Sequence, residues 1–207
     1  HKTAGTNWLF VKILTDTDIV GWGEGSLQYK DSALEAEICD MKKFLINKNP
    51  LNIEDIWTSL FRKVTWSGGA VTMSAISAID LALWDIKGKA YGVPVYDLVG
   101  GKTRDKVKVY ANGWFENISL SSPTTRKESP KLYAESASKL VDDGWKALKF
   151  YPFGGPQVTT PEQIFDGVNL VEAVRSSIGN LVDIGVDIRA RLNTWSASRV
   201  EKQLRPL

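Results

Sequence analysis

The sequence has few of the side chains that crosslink proteins or shuttle protons near neutral pH. Among its 207 residues it contains one cysteine, Cys39, and one histidine, His1. A single cysteine excludes an internal disulfide framework and is typical of a protein in the reducing cytoplasm. A lone histidine at the first position excludes a histidine base within the body of the chain. We therefore expect a cytoplasmic chain that has neither an internal disulfide framework nor a histidine base.

The sequence also lacks an excess of one charge sign, a long apolar run and a phosphate-binding loop. The chain has 26 Lys and Arg against 24 Asp and Glu, a formal net charge of +2, and no basic patch. This balance argues against nucleic acid as a partner. No apolar run approaches the length of a membrane span, and the start does not resemble a signal peptide. The sequence GWGEG at 21–25 ends a predicted hairpin, so we interpret its residues as turn glycines.

The first half of the sequence predicts strands followed by helices. Alternating apolar residues predict strands at 7–14 and 19–24 that form a hairpin. Helical periodicity then predicts helices at 32–46 and 53–63, and a third that begins after a Ser74 cap. This order is typical of an α+β domain, here residues 1–104.

The segment 74–101, SAISAIDLALWDIKGKAYGVPVYDLVGG, is the most distinctive part of the chain. Its apolar residues recur every three or four positions and predict one buried helical face, which comprises Ala75, Ile76, Ile79, Leu83, Ile86 and Ala90, extended by Ala78, Leu81 and Ala82. Gly92 and Pro94 predict the end of this helix, because glycine adopts the left-handed conformation and proline cannot continue the helix. We expect these residues to position a site without performing chemistry.

The second half predicts three strand–helix units in succession. The strands are expected at 107–111, 147–151 and 181–187, and the helices at 131–142, 161–178 and 196–204. Such repetition predicts a parallel sheet with right-handed crossovers. Three units are too few for a closed barrel, which needs about eight strands.

Three segments together resemble the enolase superfamily, and within it the mandelate racemase/muconate-lactonising group. They are VGWGEGS at 20–26, the stretch from Ser74 to Trp114, and GWKALKFYPFGGP at 144–156. The chain is most similar to acid-sugar dehydratases that act on gluconate, arabinonate or galactonate. The resemblance implies an α+β capping domain at 1–104, followed at 105–207 by a truncated (β/α) barrel of about three β/α units. The chain would then correspond to the N-terminal part of such an enzyme.

The resemblance also implies a reaction and a metal. In this group, Mg²⁺ and cationic side chains stabilise the enediolate that forms when the proton next to a substrate carboxylate is removed. In dehydratases the β-hydroxyl then leaves as water. The active residues lie at the C-terminal ends of barrel strands. The expected partner is therefore a small sugar acid, and the expected cofactor is Mg²⁺, whose full coordination needs residues outside this chain.

Two candidate residues lie at the end of the second predicted barrel strand. Lys149 matches the first lysine of the family's Lys-x-Lys pattern, which contacts the substrate carboxylate. Tyr151 stands where a second lysine, an arginine or an aspartate is expected, and with a pKa near ~10 it is a poor base at neutral pH. The structural alternatives are that Tyr151 only lines the barrel mouth and that Lys149 is a surface lysine.

Four further candidates follow the third predicted strand. Asp187 matches the first of three carboxylate ligands for Mg²⁺. Arg191 and Asn193 match the family's acidic-x-His-Gly-Arg-x-Asn pattern and are expected to bind substrate. Arg189 replaces the histidine that serves as general acid; arginine stays protonated and can instead bind a carboxylate or hydroxyl. A capping or ion-paired role is the structural alternative for Asp187, and a salt bridge for Arg189.

Three functions agree with these residues. The first is a Mg-dependent acid-sugar dehydratase, incomplete in this chain. The second is an inactive remnant or half-enzyme that acts in an assembly, and the third is a racemase or cycloisomerase of the same superfamily, which Tyr151 disfavours. An open barrel would expose a strand edge, so we expect a homo-oligomer or an association with a C-terminal half.

Overall fold

The computed structural model describes residues 7–62, 65–115, 118, 123–153 and 160–207. The chain divides into two compact units, His1–Asp105 and Lys106–Leu207. Each unit has a hydrophobic core of its own. In the part of the chain that the structure describes, no helix combines the length and the apolar character that a membrane crossing requires.

The first unit is a two-stranded antiparallel sheet packed on helices. The strands β1 and β2 pair with Phe10 opposite Glu24 and Leu14 opposite Val20. The elements are β1 (Phe10–Leu14), β2 (Val20–Glu24), α1 (Asp31–Met41), a 3₁₀ turn (Lys42–Phe44), α2 (Ile53–Arg62), α3 (Ala70–Tyr91) and α4 (Val95–Leu98). The predicted hairpin and the three predicted helices are confirmed.

Helix α3 forms the centre of this unit. It is buried along the predicted face from Ala75 to Ile86, whereas Leu81 and Ala90 are exposed. The predicted start at Ser74 is wrong. The helix begins five residues earlier, at Ala70 after Gly69, because the carbonyl of Gly69 already accepts a hydrogen bond from the Met73 N–H at 3.0 Å. The predicted end is confirmed, since Gly92 has a φ of 68°.

Gly21 and Gly23 of the GWGEG segment lie in strand β2, and Gly25 directly follows it, so the interpretation of Gly21 and Gly23 as turn glycines is wrong. A Cβ atom on Gly21 would lie 2.2 Å from the Ala82 carbonyl oxygen, and one on Gly23 would lie 1.9 Å from that of Ala78. Real Cβ atoms do not approach backbone so closely. The glycines therefore allow β2 to lie directly on the small residues of α3.

The second unit contains a two-stranded parallel sheet with helices. Strands β3 and β4 pair with Ala147 opposite Asp183 and Lys149 opposite Gly185. The elements are α5 (Pro123–Asp142), β3 (Ala147–Phe150), α6 (Pro161–Ile178), β4 (Asp183–Val186) and α7 (Thr194–Leu204). This order confirms the last two predicted strands and the parallel pairing.

The predicted strand at 107–111 is wrong for most of its length. Within the described residues it is reduced to a single parallel bridge between Ala111 and Leu148. Strand β3 begins at Ala147, so among the residues that the structure describes no strand lies beside the segment before Ala111. Their apolar side chains are exposed accordingly, by 75% at Val107 and 63% at Val109.

Candidate functional site

The carboxyl ends of β3 and β4 bring Lys149 and Asp187 together. Lys149 lies within β3, and Asp187 directly follows β4. The Asp187 N–H donates to the Phe150 carbonyl at 2.9 Å, which extends the parallel ladder by one bond. The Lys149 ammonium Nζ lies 2.9 Å from Asp187 Oδ2. Leu148 and Phe150, on the other face of the strand, are fully buried and anchor β3 in the core.

Both carboxylate oxygens of Asp187 accept hydrogen bonds from this chain. Oδ2 accepts from Lys149, and Oδ1 accepts from the Arg189 N–H at 2.9 Å. The Lys149 hydrogen bond, followed by that from the Arg189 backbone, lowers the pKa of Asp187 below its ordinary value. The side chains of Lys149 and Asp187 are 23% and 31% exposed, so the pair is open to a ligand from solvent.

Asn112 is a site residue that sequence reasoning missed. Its side-chain oxygen accepts a weak hydrogen bond from Lys149 Nζ at 3.4 Å. The bridge between Ala111 and Leu148 holds Asn112 at the same sheet end as Lys149. Its position directly after the predicted strand at 107–111 was the available signal, because polar residues at strand ends are frequent site residues.

Arg189 and Tyr151 are in direct contact beside this ion pair. The guanidinium carbon of Arg189 lies 4.6 Å from the centre of the Tyr151 ring. Arg189 and Ala190 both adopt the left-handed conformation, with φ of 44° and 55°, which bends the chain sharply after Asp187. The structure therefore brings together four predicted residues from two strand ends: Lys149, Tyr151, Asp187 and Arg189.

An aromatic cluster supports the Tyr151 side of the site. Phe115 meets the Tyr151 ring edge to face at 4.4 Å. The Trp114 indole N–H donates to the Lys149 carbonyl at 3.1 Å, which fixes the strand backbone below the ammonium. Burial in this cluster, and the neighbouring Tyr151, raise the pKa of Tyr133 to about 12. Tyr133 is thus a packing residue that stays protonated.

Arg191 and Asn193 are placed less directly. The Arg191 N–H donates to the Ile188 carbonyl at 2.9 Å, and no hydrogen bond joins its guanidinium to the four-residue group within the described part of the chain. Asn193 caps α7, because its side-chain oxygen accepts the Ser196 N–H at 2.8 Å. The predicted start of this helix at 196 is wrong by two residues, because α7 begins at Thr194. The amide NH₂ of Asn193, which is exposed, remains available to a ligand.

The described residues do not by themselves fit a magnesium site. Mg²⁺ prefers about six oxygen ligands, several of them water or substrate oxygens. Among the residues described, no group of three or more His, Cys, Asp or Glu side chains is placed to hold a metal ion. Asp187 contributes one carboxylate, and both of its oxygens already accept hydrogen bonds from Lys149 and Arg189.

Comparison with known sequences identifies relatives over nearly the whole chain. Residues 2–100 match the family described as mandelate racemase / muconate lactonizing enzyme, N-terminal domain. A D-galactonate dehydratase of Pectobacterium atrosepticum is 36% identical over 200 residues, which cover 96% of this chain and 49% of the relative. A D-galactonate dehydratase of Variovorax paradoxus is 36% identical, covering 97% of this chain and 50% of the relative. The chain spans about half the length of these curated relatives.

Solved structures with similar folds come from the same superfamily. A member of the enolase superfamily from Salmonella Typhimurium superimposes with a TM-score of 0.87 at 32% identity, covering 98% of this chain and 56% of that one. A mandelate racemase/muconate lactonizing enzyme from Jannaschia sp. gives 0.82 at 27% identity, covering 98% and 54%.

Proposed function

The chain belongs to the mandelate racemase/muconate-lactonising group of the enolase superfamily, and we propose from this that it is part of an acid-sugar dehydratase. One observation carries the proposal: Lys149 and Asp187 meet at the carboxyl ends of two parallel strands, in a chain similar to D-galactonate dehydratases. The substrate class is a sugar acid, and the reaction removes water from it.

The proposed architecture is a capping domain followed by the first part of a (β/α) barrel. The α+β unit at His1–Asp105 supports the first assignment. The parallel pair β3–β4, connected through α6, and the Ala111 bridge beside β3 support the second. The site then lies at the strand ends where barrel enzymes place their chemistry.

The residues of this chain fit ligand binding better than proton transfer. Lys149 forms an ion pair with Asp187 at 2.9 Å, so we assign it to the substrate carboxylate rather than to a base. Tyr151 is a poor base, and Arg189 does not release a proton at working pH. The base that takes the proton next to the carboxylate, and the acid that protonates the departing hydroxyl, therefore come from outside the described residues.

The proposed cofactor is Mg²⁺. When bound, such an ion stabilises the negative charge that develops on the substrate carboxylate. Asp187 is the residue of this chain that would hold it, after giving up part of its contact with Lys149. The remaining ligands would come from a C-terminal half, with which we propose that this chain associates.

The experiment combines the chain with the second half of a D-galactonate dehydratase. The two parts are co-expressed, and formation of the 2-keto-3-deoxy acid from D-galactonate is measured. We expect turnover that falls at least a hundredfold in Lys149→Met. The matched control is Lys108→Met, which breaks the ion pair between Lys108 and Asp183, the first residue of β4, at the end of that strand away from Asp187. Absence of turnover in a folded complex, or equal losses in both variants, would refute the proposal.

A second candidate is a catalytically inactive partner in an assembly. It is favoured by the same contacts, because Asp187 uses both oxygens within its own chain. Calorimetric titration of the assembled complex with Mg²⁺ separates the two. Binding that disappears in Asp187→Ala supports the enzyme, whereas unchanged binding in that variant supports the inactive partner.

A further inference from the structure

We propose that Tyr151 is a positioning residue that holds the Arg189 guanidinium as an anchor for the carboxylate of the ligand. The proposal rests on the sugar-acid function above and deepens it, because it adds Arg189 to Lys149 as a contact of the ligand carboxylate. Tyr151 and Arg189 both depart from the family pattern noted in the sequence. The geometry that carries it is the contact between guanidinium and ring, 4.6 Å from carbon to ring centre.

The backbone at Arg189 requires stabilising contacts to persist. Arg189 and Ala190 are consecutive non-glycine residues with positive φ, a conformation that is strained for residues other than glycine. Two hydrogen bonds hold the turn: the Arg189 N–H donates to Asp187 Oδ1, and the Arg191 N–H donates to the Ile188 carbonyl, each at 2.9 Å. The two hydrogen bonds therefore hold the backbone from which the Arg189 side chain extends.

The Tyr151 ring is itself held in place. It follows β3 directly, and the edge-to-face contact with Phe115 at 4.4 Å limits its rotation. Pro152 and Phe153 behind it are buried. An aromatic face fixed in this way attracts a guanidinium placed over it, because the face of the ring carries partial negative charge. A flexible arginine thus acquires a preferred position.

Stacking leaves the edge of the guanidinium open. Arg189 is exposed, and in the residues that the structure describes no acceptor bonds its guanidinium N–H groups. These groups form the planar fork that binds a carboxylate through two parallel hydrogen bonds. Lys149, Asp187 and Arg189 together carry two positive charges and one negative charge, so a single carboxylate neutralises the site.

The test follows the side-chain N–H signal of Arg189 by NMR in the 207-residue chain. D-galactonate is the probe, and galactitol, which has a CH₂OH group in place of the carboxylate, is the neutral control. We expect the signal to shift saturably with D-galactonate and not with galactitol. Equal responses to both compounds, or no response to D-galactonate, would overturn the anchor.

Two variants test the positioning role. Tyr151→Phe keeps the aromatic face and should bind D-galactonate within about twofold of the original chain. Tyr151→Leu removes the ring and should weaken binding at least fivefold, with loss of the ring-induced shift of the Arg189 signal. If Tyr151→Leu keeps both the affinity and the shift, Tyr151 does not position Arg189.

Failure of this inference is distinguishable from failure of the proposed function. Turnover by the assembled complex with an unaltered response in Tyr151→Leu would leave the dehydratase intact and refute the anchor. Carboxylate-dependent binding that requires the ring, in a complex that does not turn over D-galactonate, would refute the dehydratase and support the anchor.

Discussion

Asp187 is the residue on which the electrostatics of the site depend. Its pKa is lowered because the Lys149 ammonium and the Arg189 N–H both stabilise the carboxylate. The same contacts compete with any ligand that would bind its oxygens. Asp187 therefore contributes to stability and limits access to the site at once.

The first prediction concerns the pH dependence of this contribution. A lowered pKa in the folded state means that the stabilisation is present above the unfolded-state pKa, near ~3.9, and is lost as pH falls through the folded-state pKa. Asp187→Asn should lower the free energy of unfolding by about 1 kcal/mol at pH 7, as expected for a partly exposed pair. Urea unfolding at pH 7 and at pH 2.5 should show this difference shrink in acid.

A double-mutant cycle with Lys149→Met provides the control for this prediction. In the Lys149→Met background, Asp187→Asn should cost less at pH 7 than it does alone. The Lys149 hydrogen bond, which contributes most to the lowered pKa of Asp187, is already absent there. Equal costs in both backgrounds would show that the ion pair contributes no stability.

At the scale of elements, strand β2 depends on close approach to helix α3. The Cβ of an alanine at position 23 would lie 1.9 Å from the Ala78 carbonyl, so strand and helix would have to separate. We expect Gly23→Ala to lower the free energy of unfolding by about 1–3 kcal/mol, the range for overpacked interiors. The neighbouring Glu24→Ala, on the exposed face of β2, should cost less than about 0.5 kcal/mol in the same chemical denaturation.

Helix α7 provides a test that separates capping from ligand binding. Asn193 accepts the Ser196 N–H, so Asn193→Ala should destabilise the chain by about 1 kcal/mol. Asn193→Asp keeps the accepting oxygen and should retain the stability, while it loses the amide NH₂. If Asn193 binds substrate as predicted, Asn193→Asp should weaken D-galactonate binding at least threefold at unchanged thermal stability. Unchanged binding would confine Asn193 to the cap.

At the scale of the whole molecule, the chain has separate hydrophobic cores. The first contains residues from Val11 to Ile86, and the largest cluster of the second unit contains residues from Ala111 to Val182. Separate cores favour separate cooperative units of opening. Local damage to one core should therefore be confined to that unit.

Hydrogen exchange can measure this confinement. In Gly23→Ala, exchange of the buried Ile79 amide in α3 should accelerate about fivefold or more, the factor that corresponds to a loss of about 1 kcal/mol or more. Exchange of the Leu148 amide in β3 should change less than about twofold. Parallel acceleration at both residues would show that the two units open together.

Much of the fold follows from patterns that are local in the sequence. Apolar periodicity and the Gly92 stop predicted α3 without its neighbours, and the match to the family's motifs singled out Lys149 and Asp187, which the structure joins at 2.9 Å. These signals are readable because they depend on residues within a few positions of each other. Family membership is readable for a similar reason, since it rests on motifs in the chain itself.

Other features depend on residues that are distant in the sequence. The role of Gly21 and Gly23 depends on the approach of α3, and the loss of the strand at 107–111 depends on where β3 begins. The contact of Arg189 with Tyr151 requires a left-handed turn beside a fixed ring. Such packing is set by which surfaces meet in the folded chain, and the periodicity of apolar residues carries no information about that. The residue types were therefore in the sequence, while their partners came from tertiary packing.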